Sequence, residues 1–178
     1  MTNSGRGAGP LKLTVLIPAH NEGASIVPTI RAIEGVLQGA QIPHEILVSL
    51  DHCTDDTAAI IAELATQVPT LSAAVNPGPG GYGFAVRHGL DVYTGDAVVV
   101  VMADASDDPR DIVSYYRKLA EGFDCAFGSR FVHGAAVRNY PWTKLALNRL
   151  ANWVVRVLFR EKYNDFTNAF KMFRREVI

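Results

Sequence analysis

Ala97-Val98-Val99-Val100-Val101-Met102-Ala103-Asp104-Ala105-Ser106-Asp107-Asp108-Pro109 is the stretch from which the fold can be read. Its four consecutive valines show no polar alternation, so the strand they form must be covered on both faces and lie near the middle of a sheet. Acidic residues follow at once, at the carboxyl edge where open α/β sheets bind their ligands. Pro109 suits the first turn of a helix, and Asp107 and Asp108 sit favourably near its positive end. Helix initiation accounts for those two acids without any further role.

Outward from this stretch, short β-rich runs alternate with longer segments of helical period, the pattern of an α/β domain with a mostly parallel central sheet flanked by helices. Strands are predicted over 13–17, 45–50, 71–75, 97–102 and 125–128, and helices over 23–37, 54–66, 83–93 and 109–121. A longer helix over 142–160 carries Lys144, Arg149, Arg156 and Arg160, with no acid before Glu161. On it Asn148, Arg149, Asn152, Arg156 and Arg160 share one side, while Leu147, Leu150, Trp153, Val154, Val157 and Leu158 occupy the other. Such a helix either packs its apolar side on the core or presents a basic and aromatic surface to lipid headgroups or a phosphate.

The chain has 178 residues, 48% of them apolar, enough for one substantial core. Residues 1–10 read as a flexible leader and 11–178 as a single domain, with the C-terminus cut inside what looks like the start of a helix. Lys plus Arg number 17 against 18 for Asp plus Glu, so no global field draws the protein to nucleic acid. Cys53 and Cys125 stand far apart and in no metal-binding spacing, which fits free thiols in a reducing compartment. With no signal-like apolar run and no membrane span, the expected place is the cytoplasm, or the cytoplasmic face of the membrane.

Four motifs fall where a strand gives way to a loop. Ile17-Pro18-Ala19-His20-Asn21-Glu22 follows the first strand and Asp51-His52-Cys53-Thr54-Asp55-Asp56-Thr57 the second. Met102 to Pro109 is the third. Gly128-Ser129-Arg130 and, later, Asp165-Phe166-Thr167-Asn168-Ala169-Phe170-Lys171 form the last pair. Asn21 and Thr54 also suit helix N-caps. One decoy stands among them: Gly78-Pro79-Gly80-Gly81-Tyr82-Gly83 satisfies GxGxxG, with Asp104 at about the interval of a ribose-binding acid. It follows the third strand rather than opening the first βαβ unit, and Pro79 stiffens the turn, so a dinucleotide site is set aside.

In order and spacing these segments resemble family-2 glycosyltransferases of the GT-A fold, most closely the dolichol- or polyprenyl-phosphate mannosyltransferase and glucosyltransferase branch. That family reads IPxYNE, DDGSTDGT, DADxxDDP or DADxQHPP, GSR and DxTSGFR, and the likeness runs from about Leu13 to Ile178. The resemblance implies that Pro18, Ala19, His20, Glu22 and Asp51, with Gly81 and Ala103, line the nucleotide of a sugar donor. Carboxylates suit that task because they accept from base N–H groups and sugar hydroxyls. It also implies a Mg²⁺ or Mn²⁺ ion held through Asp104, with Ser106 beside it, against the donor's diphosphate. The first acid of that motif is here Met102, whose thioether is a poor partner for a hard cation and is expected to pack into the core, so metal binding should be weaker.

Arg130 and Lys144 match positions that face phosphates, and a guanidinium fork suits phosphate oxygens well. Asp165, Thr167 and Lys171 match the acceptor side, where Lys171 can equally be a plain solvated lysine. The function implied is inverting transfer of a hexose from a nucleotide diphosphate sugar, of the GDP-mannose or UDP-glucose type, to a polyprenyl phosphate, with peripheral membrane association. Should the acceptor be a sugar hydroxyl, a base is needed and Asp165 is the first candidate. A non-catalytic nucleotide-sugar binder and a nucleotidyltransferase remain as alternatives.

Overall fold

The computed structural model describes residues 10–129, 142–160 and 163–178, apart from the side chains of 142–146. Six strands form one sheet: β1 (Leu13–Ala19), β2 (His44–Leu50), β3 (Leu71–Val75), β4 (Ala97–Val100), β5 (Cys125–Phe127) and β6 (Lys171–Arg174). Their spatial order is β3-β2-β1-β4-β6-β5. The first four are mutually parallel, and β6 runs antiparallel to both β4 and β5. Helices α1 (Ile26–Gly39), α2 (Thr57–Ala65), α3 (Tyr82–Val92) and α4 (Pro109–Ala120) make the crossovers, and α5 (Trp142–Phe159) lies between β5 and β6 in the chain.

The run of valines behaves as its composition dictates. Val99 and Val101 join the larger core with Val15, Ile17, Ile30 and Ile112, while Val98 packs on the opposite face with Leu16, Leu47 and Tyr93. Both faces of β4 are thus apolar contact surface, and β1 beside it is buried along its whole length. At roughly 25 cal/mol per Å² of apolar area, this double-sided burial is the largest favourable contribution to the fold.

Sheet order decides where a ligand can sit. From β1 the chain steps outward to β2 and β3, then returns to β4 on the other side of β1. The strand order therefore reverses between β1 and β4, and the loops leaving their carboxyl ends are forced apart around a crevice. Residues 20–25 and 101–108 are those loops.

Four expectations need correction. β6 was not expected as a strand, because its four residues, Lys-Met-Phe-Arg, include two long cations. Arg174 is nevertheless 7% exposed, since its guanidinium donates to the carbonyl oxygens of Leu119 and Phe123 at and just beyond the end of α4. The chain ends not in the start of an α-helix but in β6 and a single 3-10 turn over Arg175–Val177. Neither Asn21 nor Thr54 is a helix N-cap: Ser25 opens α1 and Asp56 opens α2. The Asn21 side chain instead accepts from the backbone N–H of Thr54 at 2.7 Å, tying the loop after β1 to the loop after β2. Met102 is half-buried and stands outside both apolar clusters.

On α5 the apolar side is not the buried one. Asn152 is 3% exposed, whereas Trp153 is 60% and Leu158 71% exposed. Only the asparagines of the polar side turn inward, toward the segment 163–168: Phe166 N–H donates to Asn152 Oδ1 at 2.6 Å and Thr167 Oγ1 donates to Asn148 Oδ1 at 2.7 Å, while Arg149, Arg156 and Arg160 are exposed. Among the described residues no helix is long and apolar enough to cross a membrane.

Candidate functional site

The crevice between β1 and β4 gathers the expected residues of the first three motifs. Pro18 and Ala19 end β1 and are buried, and Ala19 O accepts from Asp51 N–H at 2.8 Å. Exposed His20 follows, its Nδ1 2.6 Å from the carbonyl oxygen of Asp51. Because a carbonyl only accepts, Nδ1 carries the hydrogen, and Nε2 lies 3.4 Å from Asn21 Nδ2 as an acceptor. Glu22 begins the turn into α1: its backbone N–H donates to Thr57 Oγ1, and its carboxylate accepts from Ser25 Oγ at 2.7 Å.

Asp51 is 4% exposed and fully engaged. Oδ2 accepts from Gly81 N–H at 2.7 Å, and Oδ1 accepts from Asn76 Nδ2 at 2.9 Å and faces His52 Nδ1 at 3.1 Å. Burial works to raise its pKa, but the hydrogen bonds from Asn76, Gly81 and His52 outweigh it and hold the carboxyl below its ordinary value. Asp51 therefore acts chiefly to clamp the glycine loop over the edge of the sheet. Asn76, 5% exposed, completes the clamp by donating to Pro79 O and accepting from Gly78 N–H. Sequence reading passed over Asn76; its place between the third strand and the Pro-Gly run was the available signal.

The acidic loop after β4 is held from three sides. Val101 N–H extends the ladder to Leu16 O, Thr29 Oγ1 on α1 donates to Ala103 O at 2.9 Å, and Asp107 Oδ2 accepts from Met102 N–H. Ala103 is buried, and its carbonyl oxygen is taken by Thr29. Asp104 and Ser106 are exposed, with Asp104 Oδ1 accepting from Ser106 N–H at 3.0 Å. Asp108 caps α4 by accepting from Arg110 N–H, as its position before Pro109 requires. Burial and the charge of Asp107 both push up the pKa of the Tyr82 phenol at the start of α3.

Among the described residues no cluster of three or more metal-ligating side chains exists. The donor set is a single exposed carboxylate, Asp104, beside the Ser106 hydroxyl. That set fits a hard divalent cation only if the remaining ligands come from a diphosphate and water, as Mg²⁺ commonly accepts.

Across β6 lies a second group. Gly128 O accepts from Tyr163 Oη at 2.7 Å and from Asn168 Nδ2 at 3.0 Å, while Ser129 Oγ donates to Asn164 at 2.6 Å. Two motifs some 35 residues apart thus become one surface. A Cβ on Gly128 would lie 1.8 Å from Tyr115 Oη, so any larger residue there requires the Tyr115 ring to shift. Asp165 is 0% exposed, and Thr167 Oγ1 lies 3.4 Å from it. Lys171 is not a plain solvated lysine: Nζ donates to Phe166 O and sits over the Phe127 and Tyr163 rings, and burial lowers its pKa against the pull of Asp165. Arg130 and the side chain of Lys144 lie outside the described residues.

The model for Glycosyl transferase family 2 matches residues 14–178. A polyprenol monophosphomannose synthase of Mycolicibacterium smegmatis is 34% identical over 168 residues, covering 92% of this chain and 62% of its own length. A dolichol-phosphate mannosyltransferase of Pyrococcus furiosus is 29% identical over 170 residues, covering 94% of this chain and 47% of its own. The chain thus spans about half to three-fifths of these relatives. Among solved structures, glucosyl-3-phosphoglycerate synthase from Mycobacterium tuberculosis, in complex with Mn²⁺, uridine diphosphate and phosphoglyceric acid, superposes with a TM-score of 0.72. It is 22% identical, covering 94% of this chain and 57% of that one. With the β1/β4 crevice, the glycine-loop clamp and the acidic loop in place, the chain belongs to glycosyl transferase family 2 and has the GT-A fold.

Proposed function

We propose that this domain takes a hexose from a nucleotide diphosphate sugar and transfers it to a polyprenyl phosphate, with inversion at the anomeric carbon. The observation that carries the reading is the meeting of three loops at one crevice: His20 to Glu22 after β1, Asp51 with its glycine-loop clamp after β2, and Asp104 after β4. The named activities of the two relatives support this donor and acceptor class. The base and sugar are of the GDP-mannose or UDP-glucose type.

His20, Glu22 and Asp51, with the main chain at Pro18, Ala19, Gly81 and Ala103, line the nucleotide. Asp104 and Ser106 hold the diphosphate through Mg²⁺ or Mn²⁺, which when bound stabilises negative charge on the leaving group. In this reading the Arg130 guanidinium supplies positive charge to the same oxygens and the Lys144 ammonium serves the acceptor phosphate. A phosphate monoester, with its second pKa of about 6, is already ionised near neutrality and needs no strong base. The full burial of Asp165 favours such an acceptor over a sugar hydroxyl, whose base must be within reach of its substrate. The apolar side of α5 supports a membrane-borne acceptor: Leu147, Trp153, Val157 and Leu158 are exposed, while Arg149, Arg156, Trp153 and Asn164 line a shallow groove of about 210 Å³ next to the acceptor-side motif.

The test is formation of lipid-linked sugar from radiolabelled donor and polyprenyl phosphate, with and without Mn²⁺. Activity should need the ion and fall at least ~100-fold in Asp104→Ala and Arg130→Ala, the usual scale for losing a charge-stabilising group. Undiminished turnover in both variants overturns the reading. Met102, where a second acid would stand, favours one rival, a binder without turnover; tight donor binding independent of metal and no transfer to any acceptor would establish it.

A further inference from the structure

His52 has φ +50°, a left-handed backbone that glycine adopts without penalty and other side chains rarely take. The DDGSTDGT pattern puts glycine at this position. The imidazole does not drift: Nδ1 lies 3.1 Å from Asp51 Oδ1, and because a carboxylate only accepts, Nδ1 carries the hydrogen. The ring also rests against the glycine loop, where a Cβ on Gly80 would stand 3.5 Å from Nδ1. It is thus pinned between the loops after β2 and β3, yet its side chain remains 53% exposed. Nε2, across the ring from Asp51, is left as an acceptor.

Stability does not call for this arrangement. Asn76 and Gly81 already give each oxygen of Asp51 a donor, and glycine would remove the backbone strain at position 52. Strain kept at the mouth of a ligand crevice points to a task for the side chain. We propose that His52 is a base-selecting residue of the donor pocket: its ring lies against the nucleobase, and Nε2 accepts a hydrogen bond from a base N–H. This rests on the donor-site reading above and adds no role in the transfer step.

The experiment is calorimetric titration of the wild-type chain, His52→Gly and His52→Asn with GDP, UDP and inorganic pyrophosphate, each with Mn²⁺, alongside thermal unfolding. Asparagine tolerates the left-handed backbone but lacks the ring. For the preferred nucleotide, both variants should bind roughly five- to thirtyfold more weakly, the scale of one hydrogen bond plus ring contact. Pyrophosphate affinity should stay within about twofold, since it carries no base. The Tm of His52→Gly should equal or exceed that of the wild type. If His52→Gly binds both nucleotides within about twofold of wild type, or loses pyrophosphate and Tm together with them, the base-selecting role is overturned. Wild-type protein that binds neither nucleotide overturns the donor-site reading itself, and this inference falls with it.

Discussion

Among the described residues, the non-glycine residues with left-handed backbone are Asn21, Gln41, His52, Ala105 and Arg160. Gln41 and Arg160 follow the ends of α1 and α5, where such a residue commonly stops a helix. The other three stand in the loops after β1, β2 and β4, all at the crevice, which is where strained backbone is worth retaining. Glu22 and Asp104 are expected at the crevice because they match the IPxYNE and DADxxDDP patterns. Asn76 is not, because an asparagine before Pro-Gly reads as a turn former. Its side chain bridges Asp51 to Pro79, so Asn76→Ala should cost about 1–3 kcal/mol by leaving buried polar atoms without a donor. Urea unfolding measures that loss, and nucleotide affinity should fall with it, since the loop at Gly81 is then held by Asp51 alone.

At the scale of elements, close backbone approach explains a glycine that no motif marks. Between α3 and β4, a Cβ on Gly95 would lie 2.8 Å from both Lys12 O and Thr14 N. Backbone cannot swing aside as a side chain can, so Gly95→Ala should destabilise by about 2–3 kcal/mol, read from the denaturation midpoint at unchanged m-value. The helix α5 makes the opposite case. Its amphipathic pattern is plain in the sequence, but which residues face the protein depends on the bonds that Asn152 and Asn148 accept from Phe166 N–H and Thr167 Oγ1. Glutamate in place of Trp153 and Leu158 should therefore change stability by no more than ~0.5 kcal/mol per site, the scale of surface positions. The same double variant should bind vesicles of anionic lipid more weakly in a flotation assay; equal flotation would detach α5 from any membrane role.

Across the whole molecule the sheet has two unlike ends. Its carboxyl end carries the strained loops and exposed acids, while its amino end is sealed by Glu45, which accepts from Lys12 Nζ, Thr14 Oγ1, Thr94 N–H and Thr94 Oγ1. Burial alone would raise the Glu45 pKa, but these bonds lower it from 4.5 to about 2. A depressed carboxyl contributes stability that is complete above its unfolded pKa, and that is lost as pH falls from about 4.5 through 2. Tm should drop across that window, and Glu45→Gln should begin lower and show a shallower drop.

Alternation of apolar runs and the valine strand belong to the chain's local order, and they suffice to determine the α/β class and the parallel core strands β1 to β4. Local order is enough there because the apolar periodicity of each segment fixes whether it forms a helix or a strand and how many of its faces must be covered. The placing of β6 between β4 and β5, the burial of Arg174 and Asp165, the outward turn of the apolar side of α5 and the clamp of Asn76 on Asp51 were decided only by tertiary structure. Each depends on polar groups many residues apart finding partners once water is excluded, a requirement that no single segment carries.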